Sequence, residues 1–337
     1  MNISFPYLLF LGDSTDVLSI KMAKGPADWS PEKCIAEYRV DGCMVSTGLP
    51  QMNITQAVEN GAKSFVLGMA NSGGILDPKW VPYILEALKN GLDIVCGLHQ
   101  KLADNADIAA TAKQYNRQLF DIRHPTQKLT TGTGIKRTGK RILTVGTDCS
   151  VGKMYASLSL TKEMQQRGLN VDFRATGQTG ILIKGEGIAI DCVIADFISG
   201  ATESLSPNNQ HDHWDIIEGQ GSLSHPAFAG VSLGLLHGSQ PDGLIICHAL
   251  NRTHMRGIEQ SAFPSISETI ALNLIAAKLT NPEVKILGIA INTSSVSTAE
   301  AKELCEQLSK EFAVPCIDPI RHTSKTIVDY MSELQLL

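Results

Sequence analysis

The sequence has no C-x-x-C pair, no run of lysine or arginine, and few aromatic residues, only 5% of the total. Its eight cysteines, Cys34, Cys43, Cys96, Cys149, Cys192, Cys247, Cys305 and Cys316, stand singly. That spacing argues against a zinc site or a thioredoxin-like motif, and most of the thiols are expected to be reduced and buried. A formal net charge of −5 with no basic cluster turns the search away from nucleic acid and toward a small molecule. No apolar stretch approaches the roughly 18 residues that a membrane span needs. The apolar Pro6–Gly12 lacks a basic region before it and a small-residue cleavage site after it, so it reads as a strand rather than a leader. A soluble, cytoplasmic protein is the expectation.

What is present is an α/β rhythm repeated twice. At 337 residues, two domains are expected. In the first, Tyr7–Leu11, Val40–Ser46, Ser64–Met69, Asp93–Cys96 and Gln118–Ile122 read as short buried strands. Met52–Asn60, Lys79–Asn90 and Ala106–Tyr115 carry apolar residues at helical spacing. The polar stretch Pro125–Lys140 reads as a linker, which divides the chain into residues 1–130 and 131–337. Beyond it, strands are expected at Arg141–Val145, Asn170–Thr176, Asp191–Phe197, Trp214–Glu218, Gly243–His248, Lys285–Ile291 and Val314–Ile317. Helices are expected at Gly152–Arg167, Ile266–Lys278 and Thr298–Phe312. Such alternation predicts parallel sheets.

The strongest local signal is GTDCSVGKM, residues 146–154, which follows an apolar strand and opens a helix. Its glycine spacing is one residue longer than the usual P-loop. Gly146, Thr147, Cys149, Ser150, Val151 and Gly152 supply backbone that can turn N–H groups onto phosphate oxygens, and Lys153 adds a mobile charge. Met154 stands where a hydroxyl normally meets Mg²⁺, and a thioether is a poor ligand for that hard cation. The loop therefore suits a cofactor whose phosphates anchor it without being broken, such as coenzyme A, and no tightly bound metal is expected.

Further groups end strands of the same domain. Glu218, before the turn Gly219–Gly221, lies beside the P-loop if the two strands are neighbours. It could take a proton, hold a metal, or cap the turn. Asp148 sits inside the loop, where it could orient Lys153 or a substrate amine, or make a structural hydrogen bond. Asp196 is either a site residue or a cap. Arg174, Arg252 and Arg256 offer guanidinium groups for carboxylates, with ordinary salt bridges as the alternative. Gln178 lies in a turn of small hydrogen-bonding residues, and His248 ends a strand. Asn292 could read a purine edge or form an Asx turn. His99 and Arg123 end strands of the first domain and are expected to close over the cleft.

GTDCSVGKM, ATGQTG, DFISGATE, IIEGQGSLSHP and GIAINTS, with LGMANSGGILDPKW and VCGLHQKL earlier in the chain, together resemble the D-glutamate N-acetyltransferase family. The resemblance implies an N-terminal Rossmann-like domain followed by a C-terminal P-loop NTPase-like domain. It also implies transfer of acetyl from acetyl-CoA to the amine of D-glutamate, in D-amino acid catabolism, by a homodimer or larger homo-oligomer. On that basis Glu218 is the first choice for the base, with Asp148 and His248 behind it. Arg174 and Arg252 would hold the substrate carboxylates, and backbone N–H groups of the P-loop or of Gly219–Gly221 would meet the oxyanion. The second domain is more distantly similar to dethiobiotin synthetase, whose loop carries Thr where this chain has Met154. An ATP- and magnesium-dependent ligase or carboxylase and a non-catalytic nucleotide-binding protein remain the alternatives.

Overall fold

The computed structural model describes residues 3–70, 72–250 and 252–337, so Asn71 of the LGMANSGGILDPKW stretch lies outside them. Two compact units are formed, one by residues 1–126 with 177–192 and the other by 127–176 with 193–337.

The first unit is built on β1 (Tyr7–Gly12), β2 (Cys34–Arg39), β3 (Ser64–Leu67), β4 (Asp93–Cys96) and β5 (Leu119–Asp121), all parallel in the order β2-β1-β3-β4-β5. β1 and β3 read as unbroken apolar runs because both of their faces are covered. The covering helices are α1 (Lys21–Trp29), α2 (Ile54–Glu59), α3 (Val81–Lys89) and α4 (Ala106–Gln114). A capping box between Asn53 and Gln56 starts α2, and the Asn105 side chain caps α4. Phe10 stacks on Phe65 at 5.0 Å, with Tyr38 and Tyr83 packed around Phe10.

The strand expected at Val40–Ser46 is corrected. The real strand is β2, and the chain after it breaks at Gly42, whose φ of +89° no β-branched residue would adopt comfortably. Buried Glu37 on β2 then gathers the irregular segment, accepting from Ser46 Oγ at 2.8 Å and from the Thr47 amide at 2.6 Å.

The second unit opens with β6 (Lys140–Gly146), α5 (Lys153–Gln166) and β7 (Val171–Arg174). The chain then contributes α6 (Gln178–Lys184) to the first unit, where it packs on α1, and Lys33 Nζ donates to the carbonyl of Ile183 at 2.7 Å. Residues 177–192, placed in the second domain by the sequence, thus belong to the first compact unit. The strand expected at Asp191–Phe197 is corrected too: two short 3-10 turns, Ile190–Cys192 and Ala195–Phe197, occupy the region where the chain returns.

The remainder comprises α7 (Ile198–Leu205), β8 (Trp214–Ile217), α8 (Ala229–Ser239), β9 (Gly243–Ala249), the hairpin β10 (His254–Met255) and β11 (Ile258–Ala262), α9 (Ile266–Lys278), β12 (Lys285–Asn292), α10 (Thr298–Phe312), β13 (Cys316–Ile317) and α11 (Lys325–Glu333). The six-stranded sheet runs β13-β12-β9-β6-β8-β7, with neighbouring strands parallel. The P-loop strand β6 is therefore central, flanked by the strand that leads to Glu218 and the strand that carries His248.

None of the cysteines is in a disulfide, and four of them, Cys96, Cys247, Cys305 and Cys316, are buried. The other four are half-buried, so burial is less general than the sequence suggested. No helix among the described residues is long and apolar enough to cross a membrane.

Candidate functional site

The loop after β6 has the backbone that its glycines predict. Gly152 sits at φ +102° with nothing within 4 Å of where a Cβ would stand, and Ser150 also adopts a positive φ, of +53°. At Gly146 a Cβ would come within 2.7 Å of Val151 Cγ2 and 3.0 Å of the Cys247 carbonyl, so the tight turn out of the sheet requires glycine there. α5 begins at Lys153, and its first amides have no intrahelical acceptors. Lys153 is buried, and its Nζ donates to the carbonyl of Asp148 at 2.8 Å. Burial pushes its pKa down, against the pull of nearby thiols and of Asp148 and Glu218.

Asp148 is the hub of the loop. Its fully buried carboxylate accepts from the Cys149 amide at 2.6 Å, from Arg252 Nη1 at 2.7 Å and from the Arg256 amide at 2.8 Å. Arg252 also donates to the carbonyls of Cys149 at 2.7 Å and Ser150 at 3.3 Å, while Arg256 Nη1 donates to Ser150 Oγ. The two arginines brace the loop from the β9–β11 side. The carboxylate that Arg252 meets in this structure is internal, since Asp148 at zero exposure needs a cation beside it.

His225, which the sequence reading did not single out, completes this cluster. Its Nδ1 accepts from the Ala227 amide at 3.1 Å, which leaves Nε2 to donate to the Arg256 carbonyl at 3.1 Å. The only hint of it in the sequence was its place in IIEGQGSLSHP. Asp148, Cys149 and His225 present ligand atoms within 4.8 Å of one another. Arg252 already supplies the positive charge there, so a metal ion would have to compete with a guanidinium.

Glu218 follows β8, whose register pairs it directly with β6, so the neighbour condition is met. Its side chain is buried and accepts from the Thr176 amide at 3.0 Å, and Thr176 Oγ1 donates to the Glu218 carbonyl. At Gly219 a Cβ would stand 1.6 Å from the Thr144 carbonyl and 2.9 Å from Lys153 Cδ. Only glycine lets this turn press against the P-loop strand. The Gly219 amide donates to Thr144 Oγ1 at 2.9 Å, so it is removed from the set of oxyanion donors.

On β9, His248 Nδ1 lies 3.3 Å from Thr147 Oγ1, and its ring packs on Phe263 at 5.3 Å. Burial, and then Arg252, pushes its pKa down to about 4, so the imidazole is neutral near pH 7. Thr147 is anchored by its amide to the Cys247 carbonyl at 3.0 Å.

The remaining expected residues lie elsewhere. Arg174 donates through Nε to Asp215 at 2.7 Å, inside a buried network in which Asp215 also accepts from Ser206 and lies 3.0 Å from His213. The buried carboxylate that Arg174 meets in this structure is thus Asp215. Asn292 takes the Asx turn, accepting from the Ser294 amide at 3.0 Å. Asp196 is exposed on a 3-10 turn before α7. Gln178 begins α6 and belongs to the first unit, as do His99 and Arg123.

Comparison with known proteins matches this arrangement to one family. Residues 38–125 match the family described as domain of unknown function (DUF1611_N), Rossmann-like domain, and residues 128–328 match DUF1611_C, P-loop domain. The chain is 64% identical over 328 residues to a D-glutamate N-acetyltransferase of Pseudoalteromonas sp., covering 97% of this chain and 99% of that one. It is 46% identical to a D-glutamate N-acetyltransferase of Tritonibacter scottomollicae, covering 98% and 99% respectively. A crystal structure of a DUF1611 family protein from Anabaena variabilis is similar throughout, with a TM-score of 0.88 at 29% identity over 98% of this chain and 100% of that one.

Proposed function

The chain belongs to the DUF1611 family, and on that premise we infer that it is a D-glutamate N-acetyltransferase whose donor is acetyl-CoA, anchored by its phosphates on the P-loop. Close identity to two enzymes of that name over nearly their whole length supports the activity. The observation that carries the donor assignment is a P-loop whose lysine is in place while Met154 occupies the position of the magnesium-binding hydroxyl. Such a loop can hold phosphates without cleaving them.

The open backbone at Gly152 and the N-terminus of α5 suit phosphate oxygens, with Lys153 swinging from the Asp148 carbonyl to meet them. Acetyl-CoA supplies an acyl group activated as a thioester; transfer forms an amide C–N bond, breaks the C–S bond and releases the thiol. Glu218 is our choice for the group that takes the amine proton, since it is buried at the end of the strand beside the loop. His248, neutral at working pH, is the second choice. The Asp148, Arg252 and Arg256 brace holds the loop in shape, so loss of Arg252 acts on donor affinity. We also assign the protein to the cytoplasm, where free thiols persist.

The test is initial-rate thiol release from acetyl-CoA against a panel of D- and L-amino acids, with and without chelator, for wild type, Glu218→Gln and Met154→Thr. D-Glutamate should be the preferred acceptor, chelator should leave the rate intact, and Met154→Thr should bring no gain. Glu218→Gln should lower kcat at least about 100-fold, the usual scale for a general base. Activity abolished by chelator and rescued by magnesium would instead favour an ATP-dependent ligase.

A further inference from the structure

Between β9 and α9, the hairpin of β10 and β11 turns through Arg256 and Gly257, the latter at φ +78° with open space where a Cβ would stand. A lone two-stranded hairpin is marginal in water. This one is pinned at its tip. Met255 is buried, the Arg256 amide donates to the buried Asp148 carboxylate at 2.8 Å, and the Arg256 carbonyl accepts from buried His225 Nε2 at 3.1 Å. Both backbone groups of one residue are thus tied to buried side chains of the P-loop cluster.

What this anchoring presents at the loop is a guanidinium. The Arg256 side chain is exposed, and its Nη1 donates to Ser150 Oγ. Arg252 is neutralised by Asp148 at 2.7 Å, whereas among the described residues no carboxylate pairs with Arg256. A single hydroxyl leaves most of the N–H groups of a guanidinium available. The loop therefore has two cations without an adjacent carboxylate partner, Lys153 buried beneath it and Arg256 on its solvent side.

Coenzyme A carries a 5′-diphosphate and, apart from it, a phosphate on the ribose 3′-hydroxyl. The loop amides, the start of α5 and Lys153 can serve the diphosphate. The separate phosphate, with a charge of about −1.5 to −2 at neutral pH, then still needs a cation. We propose that Arg256 binds this 3′-phosphate and so selects coenzyme A over donors that lack it. A guanidinium fork matches two phosphate oxygens at once, and an exposed position suits a group that stays partly hydrated. All the residues involved belong to the second unit. The assignment rests on the acetyl-CoA reading for the identity of the donor.

Calorimetric titration with coenzyme A and 3′-dephospho-coenzyme A tests it, on wild type, Arg256→Gln and Ser150→Ala, with thermal melts as a check on folding. Glutamine keeps the backbone bonds to Asp148 and His225. Wild type should bind coenzyme A at least about tenfold more tightly than the dephospho form, the scale of one charge-assisted contact. Arg256→Gln should remove that preference by weakening coenzyme A alone, leaving the dephospho form within twofold, whereas Ser150→Ala should retain the preference. In the thiol-release assay the KM for acetyl-CoA should rise in step in Arg256→Gln, while kcat and the KM for D-glutamate stay within twofold. Equal weakening of both forms in Arg256→Gln overturns the proposal, as does loss of the preference in Ser150→Ala, since either would mark Arg256 as a brace of the loop. Equal affinity of wild type for the two forms overturns it while leaving the donor reading in place, and a wild type that binds neither form overturns both.

Discussion

Replacing Lys153 by methionine should separate stability from donor binding. The Lys153 ammonium makes a 2.8 Å hydrogen bond to the Asp148 carbonyl, a charge-assisted contact of about 1.5–3 kcal/mol. Against it stands the desolvation that pushes the lysine pKa down. A lowered pKa means that folding disfavours the charged form. The cost is therefore present at pH values below the folded pKa and fades as pH rises toward the ordinary lysine value. Methionine fills similar space without either effect. We expect the two to offset to within about 1 kcal/mol, a melting shift of no more than about 4 °C for a unit of this size. Phosphate binding has no such compensation. Loss of a contact of about 1.5–3 kcal/mol raises the donor Kd about 10- to 150-fold. Calorimetric titration with coenzyme A and the KM for acetyl-CoA give the second quantity, and circular dichroism melts give the first. A donor KM within twofold of wild type, with the fold intact, would refute the assignment of the P-loop to the donor.

Arg252→Leu leaves the buried Asp148 carboxylate with two amide donors and no adjacent guanidinium. It should destabilise the second unit by about 3 kcal/mol, with a melting shift of at least about 6 °C, and Asp148→Asn in the same chain should recover part of that loss. His248 has a folded pKa of about 4, so the unfolded chain binds its proton first and stability falls as pH drops from about 6.5 toward 4. Denaturant titrations across that window should show a loss of at most about 3 kcal/mol that His248→Phe does not share. Light scattering at micromolar concentration should give a multiple of 36.3 kDa, because α9 and the residue that caps its C-terminus keep Leu272, Ile275 and Leu279 exposed; a clean monomer would contradict this.

The sequence by itself determined the local features. The P-loop was legible because glycines, a lysine and a following helix are constrained within nine residues, and Glu218 was legible because an apolar strand ends there in an acid and glycines. The short strand Asp93–Cys96 was read to the residue for the same reason, an apolar run with turn residues on both sides. Tertiary structure decided what depends on residues far apart in the chain. Neither the placement of β6 between β8 and β9 nor the return of residues 177–192 to the first unit follows from periodicity, which reports exposure along one element and not its neighbour. The arginines show the difference most clearly. Arg174 and Arg252 looked available because their partners, Asp215 and Asp148, lie 41 and 104 positions away. Arg123 meets Asp191 across 68 positions and still keeps an unpaired donor. A guanidinium carries the same charge wherever it stands in the sequence, and only the fold settles which carboxylate reaches it.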